Sequence, residues 1–173
     1  MEAKLPGDVR WRVFAGDDDD VAAITAMLHA AYRPLAEQGW NYVAASQDDG
    51  VTRRRLARGY ALIGEDDAAI VATGTLYFSA STNAPPLYAR PDVAHFGQFA
   101  VAPAWQHRGL GTRLLGELER EAVRRGRAFL ACDTAAPALH LVRWYEARGF
   151  RIVETTRWPH AVYDSAVLLK ALG

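Results

Sequence analysis

The chain has little cysteine, no net charge and no long apolar run, and each shortage excludes a class of protein. One cysteine in 173 residues cannot form an intramolecular disulfide or supply the thiolates of a cysteine-based zinc framework. Twenty basic and twenty acidic side chains cancel, whereas a general nucleic-acid binder carries a strong basic excess. No stretch approaches the ~18 apolar residues of a membrane helix, and no signal-peptide core opens the sequence. We expect a cytoplasmic protein without membrane or nucleic-acid partners.

Several catalytic signatures are also missing. The sequence contains no Gly-x-Ser-x-Gly nucleophile elbow and no His-Glu-x-x-His zinc motif, which disfavours those hydrolase classes. The acidic run Asp17–Asp20 could hold a cation, but it lacks the spacing of a calcium loop. It directly precedes an apolar helical pattern, so we interpret it as a helix N-terminus and predict no metal site. The lone Cys132 lies in an apolar run and is interpreted as a core residue.

The remaining composition is that of a folded globular protein, with 50% hydrophobic and 23% charged residues. At roughly 100–200 residues per domain, the length predicts a single domain over residues 1–173. Short β-rich runs and helical patterns follow one another in the order β-α-α-β-β-β-α-β-α-β-β. This order predicts an α/β (α+β) fold with a mixed sheet.

Two of the predicted helices have informative boundaries. The first is predicted over residues 21–31, because Pro34 and Gly39 indicate an irregular segment after it. Another is predicted over residues 109–125, where Leu110, Leu114 and Leu118 recur four apart on one face. The strands before and after this second helix are expected to pair in parallel.

The most informative segment is Gln106-His107-Arg108-Gly109-Leu110-Gly111-Thr112, between a predicted strand and that amphipathic helix. Glycines at a helix N-terminus let the backbone approach a ligand, and the N–H groups there bind anions, phosphate above all. The third glycine of a dinucleotide fingerprint is missing, since Leu114 stands in its place, and no Walker A sequence is present. The segment instead fits the Gln/Arg-x-x-Gly-x-Gly/Ala pyrophosphate loop of coenzyme A-dependent acetyltransferases.

With this loop in its context, the sequence resembles the GCN5-related N-acetyltransferase (GNAT) family. The strand ending Phe99-Ala100-Val101-Ala102-Pro103 is similar to the family's fourth strand. The run Trp144-Tyr145-Glu146-Ala147-Arg148-Gly149-Phe150 is similar to the family's "YEKLGF" helix end. The resemblance covers essentially the chain from Val9 onward. It implies a mixed, mostly antiparallel seven-stranded sheet with helices on both faces, splayed between strands 4 and 5.

The resemblance also implies that acetyl-CoA is the co-substrate and that no metal is used. In the family, loop amides hold the pyrophosphate, and the backbone of the fourth strand binds the pantetheine and polarises the thioester carbonyl. One family feature is absent, because Ala138 stands where an asparagine often contacts the cofactor. The cofactor-binding residues implied here are Phe99, Ala100, Val101, Gln106, His107, Arg108, Gly109, Leu110, Gly111 and Thr112.

Two residues are candidates for the proton transfers. Tyr145 matches the family's tyrosine near the leaving sulfur and is the general-acid candidate, the alternative being a buried helix aromatic. His95 aligns with a glutamate early on the family's fourth strand, and an imidazole with a pKa near ~6.5 accepts a proton at neutral pH. A structural histidine at the start of a strand explains His95 equally well, in which case a water molecule is the base.

The acceptor pocket implied by the family is formed by residues 32–42, 79–92 and 156–164. Aromatic side chains occur in all three segments, so we expect cation–π contact or stacking with an acceptor, although packing of the sheet edges explains each aromatic as well. In a strictly alternating strand, His95 and Phe99 share one face and Gln98 the other, where Gln98 could hold a water or the amine. The substrate-binding candidates are Tyr32, Trp40, Gln98 and Tyr163, with Glu37 or Asp164 as an ammonium anchor.

The sequence therefore predicts an N-acetyltransferase that transfers the acetyl group of acetyl-CoA to a primary amine of a small molecule by direct attack. Two alternatives stay open: a non-catalytic acetyl-CoA-binding sensor, and an acyltransferase for another acyl-CoA or a protein N-terminus. A homodimer is compatible with the prediction, since dimers are common in the family. No motif identifies the acceptor amine.

Overall fold

The computed structural model describes residues 8–173, and its elements follow the predicted order. They are β1 (Arg10–Val13), α1 (Val21–Glu37), α2 (Asp49–Ala57), β2 (Tyr60–Asp66), β3 (Ala69–Tyr77), β4 (Val93–Val101), α3 (Leu110–Arg124), β5 (Phe129–Ala135), α4 (Leu139–Glu146), β6 (Arg151–Thr156) and β7 (Ser165–Ala171). Short 3-10 turns lie in several of the connections. Within the described part of the chain, no helix combines the length and hydropathy needed to cross a membrane.

The seven strands form one sheet in the order β1-β2-β3-β4-β5-β7-β6. Strands β4 and β5 are parallel, whereas β1 pairs with β2, and β7 with both β5 and β6, in antiparallel fashion. The predicted mixed, mostly antiparallel α/β fold is therefore confirmed. The β4–β5 ladder runs from Val93↔Phe129 to His95↔Ala131, although β4 continues to Val101.

Internal contacts divide the chain into two compact units. The first unit comprises the described residues up to Thr75 together with Gln98–Leu118, and the second comprises Leu76–Gly97 and Glu119–Gly173. In the first unit, apolar side chains of α1 and α2 pack on β2 and on the end of β4. The core of the second unit contains Tyr88, Val93, Ala131 and Val167.

Helix α1 is longer than the sequence predicts. The expected end at residue 31 is wrong, because the helix continues through Pro34 to Glu37. A proline fits the helical φ and removes only one N–H donor, and the next residue, Leu35, is buried. Burial of Leu35 therefore outweighs the lost hydrogen bond, and Tyr32 becomes a helical residue.

The acidic run before α1 is explained by capping and ion pairs. The Asp20 carboxylate accepts a hydrogen bond from the Ala23 N–H at 3.0 Å, as a helix N-cap does. Asp19 pairs with Arg12 at 2.5 Å, and Asp17 pairs with Arg53 at 2.6 Å. The interpretation of this run as a helix N-terminus is confirmed. Among residues 8–173, no group of three His, Cys, Asp or Glu side chains is arranged to hold a metal ion.

A close approach between β3 and α3 occurs at Gly74. A Cβ atom built there would lie 3.1 Å from Leu118 Cδ1 and 3.4 Å from both Leu114 Cδ1 and Phe99 Cδ2. Such distances leave little room for a side chain, so glycine lets the leucine face of α3 lie against the strand. This packing fixes α3, and with it the loop that precedes the helix.

Candidate active site

The loop that enters α3 has the backbone geometry expected of an anion site. Gly109 has φ +83° and His107 has φ +60°, a region that glycine enters without the penalty of a Cβ. The Gln106 side chain donates from Nε2 to the Val101 carbonyl at 3.0 Å, which ties the loop to the end of β4. A Cβ built on Gly109 would meet no atom within 4 Å, so the space over this residue is open.

Helix α3 presents its N-terminus at this open loop. The Arg113 N–H donates to the Gly109 carbonyl at 3.1 Å, closing the first helical turn. The N–H groups of Leu110 and Gly111 precede that bond and have no acceptor within the helix. The Cζ atom of Arg108 lies 6.0 Å from the centroid of the Trp105 ring, and that of Arg113 lies 5.7 Å from the centroid of the Trp11 ring. Together, the helix dipole and two arginines make this end of α3 suited to phosphate.

Strand β4 departs from regular geometry at Gln98. Its φ is +51°, so the strict alternation predicted for residues 95–101 is wrong at this position. The Gln98 side chain is buried, with 2% of its surface exposed. Its amide lies 2.7 Å from Gln47 Nε2, and with the amide oxygen and nitrogen exchanged its oxygen accepts from Arg55 Nη1 at 2.9 Å. The structure thus uses the Gln98 amide to hold β4 against the segment before α2. The contact expected between Gln98 and an acceptor stays a prediction.

Gln47 is the centre of a buried polar cluster that no sequence motif indicates. Its Nε2 also donates to Thr52 Oγ1 at 2.8 Å, and its Oε1 accepts from Arg55 Nη1 at 2.8 Å. The Gln47 carbonyl accepts from His29 Nε2 at 2.8 Å, and Thr25 donates to Thr52 at 2.9 Å. These partners are scattered over α1, α2 and their connection, so sequence reasoning misses the cluster.

Tyr32 lies on α1 and reaches the same strand. Its hydroxyl donates to the Phe99 carbonyl at 2.9 Å, and its ring centroid lies 5.4 Å from that of Tyr42. The first unit therefore brings the candidate residues Tyr32 and Phe99 into direct contact. Trp40 is half-buried, just after the end of α1.

In the second unit, His95 is an interior residue with 5% of its surface exposed. Its Nε2 donates to the Ser79 carbonyl at 3.1 Å. The imidazole stacks on Tyr88, with 4.0 Å between ring centroids and 8° between planes. Since a carbonyl only accepts, Nε2 carries the proton, and Nδ1 is the nitrogen that can accept one.

Tyr145 is half-buried on α4, within a group of aromatic rings. Its centroid lies 5.1 Å from Trp144, 5.6 Å from Phe150 and 6.0 Å from Phe96. These ring contacts fix the orientation of the phenol. Tyr163, the other aromatic candidate in this unit, is buried with 9% exposure.

A second cluster that the sequence does not reveal surrounds Asp133 on β5. The Tyr88 hydroxyl donates to one carboxylate oxygen at 2.7 Å, and Trp158 Nε1 donates to the other at 2.8 Å. Burial and the negative charge of Asp133 raise the pKa of Tyr88 well above 10, so Tyr88 stays a neutral donor. Burial and the same charge raise the pKa of the Cys132 thiol, in line with a core cysteine.

Comparison with known proteins gives a consistent result. Residues 21–150 match the sequence profile described as the acetyltransferase (GNAT) family. The chain is 28% identical over 133 residues to the S-(2-succino)cysteine N-acetyltransferase of Bacillus subtilis (strain 168), covering 76% of this chain and 78% of that protein. The profile spans most of the described chain.

Solved structures share the fold. The ribosomal-protein-S18-alanine N-acetyltransferase of Escherichia coli aligns with a TM-score of 0.71 at 17% identity, over 95% of this chain and 94% of that one. A GNAT family acetyltransferase of Elizabethkingia anophelis, with acetyl-CoA bound, aligns with a TM-score of 0.67 at 17% identity, over 95% and 99%. At these identities, the likeness establishes the common fold.

We predict that Gln47→Ala lowers the free energy of unfolding by about 1–3 kcal/mol, because it removes a hydrogen-bond partner from the buried Gln98 amide and from buried Thr52. Urea denaturation measures this change. Gln38→Ala is the matched control, since Gln38 is exposed, and it should shift stability by no more than about 0.5 kcal/mol. Equal effects of the two substitutions would show that the cluster contributes little.

Proposed function

Because this chain belongs to the acetyltransferase (GNAT) family, we propose that it transfers the acetyl group of acetyl-CoA to a primary amine of a small molecule, by direct attack in a ternary complex. The observation that carries this proposal is the N-terminus of α3, where the space over Gly109 is open. Its geometry fits the diphosphate of a coenzyme A thioester. Acetyl-CoA supplies the activated acetyl group. The protein must bind and orient both substrates and exchange protons with them.

Binding of the coenzyme is proposed for two parts of the first unit. The N–H groups of Leu110 and Gly111 and the charge of Arg108 suit the diphosphate, as the family loop does. The backbone of Phe99–Val101 suits the pantetheine. The direction of this backbone segment is held by two hydrogen bonds, from the Tyr32 hydroxyl to the Phe99 carbonyl and from the Gln106 side chain to the Val101 carbonyl. With Ala138 in place of the family asparagine, main-chain groups supply most of this binding.

Transfer forms a bond between nitrogen and the acetyl carbon and breaks the bond between that carbon and sulfur. The departing sulfur gains from receiving a proton, and the attacking nitrogen must lose one. We assign the first task to the Tyr145 hydroxyl, whose ring is fixed by Phe96 and Phe150. We assign the second to His95 through Nδ1, since Nε2 is held by Ser79; a water molecule is the alternative base.

The name of one relative indicates which acceptor to test first. The Bacillus subtilis relative is named for an amino acid, S-(2-succino)cysteine, and this name makes that compound the first acceptor to test. Tyr32, Trp40 and Tyr163 remain the proposed aromatic contacts of the acceptor. The cytoplasmic location and a homodimer remain predictions of the sequence.

We predict that Gly109→Ala weakens acetyl-CoA binding by about tenfold. An alanine at φ +83° costs roughly 1–2 kcal/mol in a left-handed conformation, and the loop relieves this strain by moving its amides. Gly126→Ala is the matched control, because Gly126 has φ +72° and equally open surroundings at the other end of α3. Isothermal titration calorimetry should show near-wild-type affinity for Gly126→Ala. Equal affinities of both variants would place the diphosphate elsewhere.

A coenzyme A release assay tests the function itself. The panel contains S-(2-succino)cysteine, other amino acids, polyamines, aminoglycosides and peptide N-termini, with thiol release as the signal. Tyr145→Phe should lower kcat by about a hundredfold or more for any active amine, with unchanged acetyl-CoA affinity, because the ring packing is retained. Tyr60→Phe on β2 serves as the control substitution. If acetyl-CoA raised the melting temperature while no amine reacted, the sensor alternative would be correct.

The role of His95 is tested by the pH dependence of kcat/KM. With His95 as the base, activity falls as pH decreases and the imidazole becomes protonated, so His95→Gln should remove this acid limb and lower the plateau. A glutamine amide can still donate to the Ser79 carbonyl, which keeps the local structure. An unchanged profile in His95→Gln would assign the proton to water.

A further inference from the structure

The charge on Asp133 has no counter-charge in the part of the chain that the structure describes. Its two hydrogen-bond donors, the Tyr88 phenol and the Trp158 indole, are both neutral. No Lys, Arg or His side chain among residues 8–173 forms an ion pair with it. A half-buried carboxylate in this state keeps a negative charge that two neutral dipoles stabilise only partly.

Four other sheltered carboxylates in the described part of the chain are ion-paired. Asp19 and Glu65 share the guanidinium of Arg12, Glu121 pairs with two arginines of α3 and its C-terminal end, and Glu119 pairs with Lys170 at 2.6 Å. The side chains of Glu65 and Glu121 are well sheltered, with 10% and 8% exposure. Asp133 differs from these four carboxylates, because both of its hydrogen-bond donors are neutral.

The surroundings of Asp133 favour an organic ammonium. Three distant parts of the sequence converge there: the turn that carries Tyr88, strand β5, and the segment that carries Trp158. Each carboxylate oxygen accepts one bond and retains capacity for another. Both donors belong to large aromatic side chains beside a half-buried carboxylate, and a lower local dielectric strengthens the attraction of such a carboxylate for a positive charge. Among residues 8–173, no group of three His, Cys, Asp or Glu side chains is placed here to complete the shell of a metal ion.

We propose that Asp133, with Tyr88 and Trp158, binds the ammonium group of the acceptor. This inference rests on the proposed function for naming the cation as a substrate, whereas the cation site itself stands on the geometry of the second unit. Such a site selects amines that are protonated at neutral pH. Asp133 then takes the place of Asp164, which pairs with Arg157 at 2.8 Å, as the proposed ammonium anchor.

The test uses the full chain labelled with 5-fluorotryptophan and follows the fluorine signal of Trp158, assigned through Trp158→Phe. The probe is n-butylammonium, and n-butanol is its uncharged counterpart. We expect a saturable shift with the ammonium only, weakened about tenfold or more in Asp133→Asn, because removing one partner of a charge pair is costly. Asp92→Asn, which alters a carboxylate already paired with Arg90, is the matched control and should bind like the wild type.

The proposal is overturned if butanol and butylammonium shift the signal alike, if neither does, or if Asp164→Asn rather than Asp133→Asn abolishes the shift. Should Asp133→Asn fail to fold, the wild-type shift measured at increasing sodium chloride decides, because only a charge-dependent site weakens with salt. Acetyl-CoA affinity, measured separately, reports on the proposed function. Butylammonium binding without acetyl-CoA binding would support the cation site and contradict the proposed acetyltransferase function.

Discussion

In the first unit, a buried polar contact holds the irregular residue of β4, because the Gln98 amide lies 2.7 Å from Gln47 Nε2 and 2.9 Å from Arg55 Nη1. Gln98 has φ +51°, a left-handed conformation that costs a residue other than glycine about 1 kcal/mol or more. The strand keeps this conformation because the amide is buried and held by a partner that Thr52 and Arg55 hold in turn. After this irregular residue, the Phe99 carbonyl meets Tyr32 on α1. The backbone proposed for the pantetheine therefore has its direction set by a glutamine pair within the protein interior.

Much of the fold can be predicted because its signals are local. Leucines four apart indicate α3, an acidic residue before an apolar run indicates the start of α1, and the glycines at 109 and 111 indicate a helix N-terminus that a ligand can approach. Local signals fail where long-range packing decides. Pro34 does not end α1, because burial of Leu35 keeps the last turn helical. The conformation of Gln98 follows from a partner 51 residues away, and no pattern within β4 encodes it.

The same distinction separates the candidate residues. The loop before α3 can be predicted from sequence because a helix N-terminus with glycines is a contiguous feature. Asp133 is joined to partners 45 and 25 residues away, so only the folded chain shows that two aromatic donors share its carboxylate. Gln98 is a similar case, because the alternation of an ideal strand gives no sign that its amide is buried against Gln47.

The balanced composition takes on a local meaning in the structure. Four sheltered carboxylates, Asp19, Glu65, Glu119 and Glu121, are neutralised by ion pairs with nearby basic side chains. Leaving Asp133 with neutral donors keeps its charge partly unsatisfied, and this cost falls when a cation binds. At the N-terminus of α3, the main-chain N–H groups of the first turn are likewise left without acceptors in the helix. A protein without net charge can thus hold opposite local charges at two places, one suited to an ammonium and one suited to phosphate. An amine and a coenzyme A thioester together carry an ammonium group and phosphate groups.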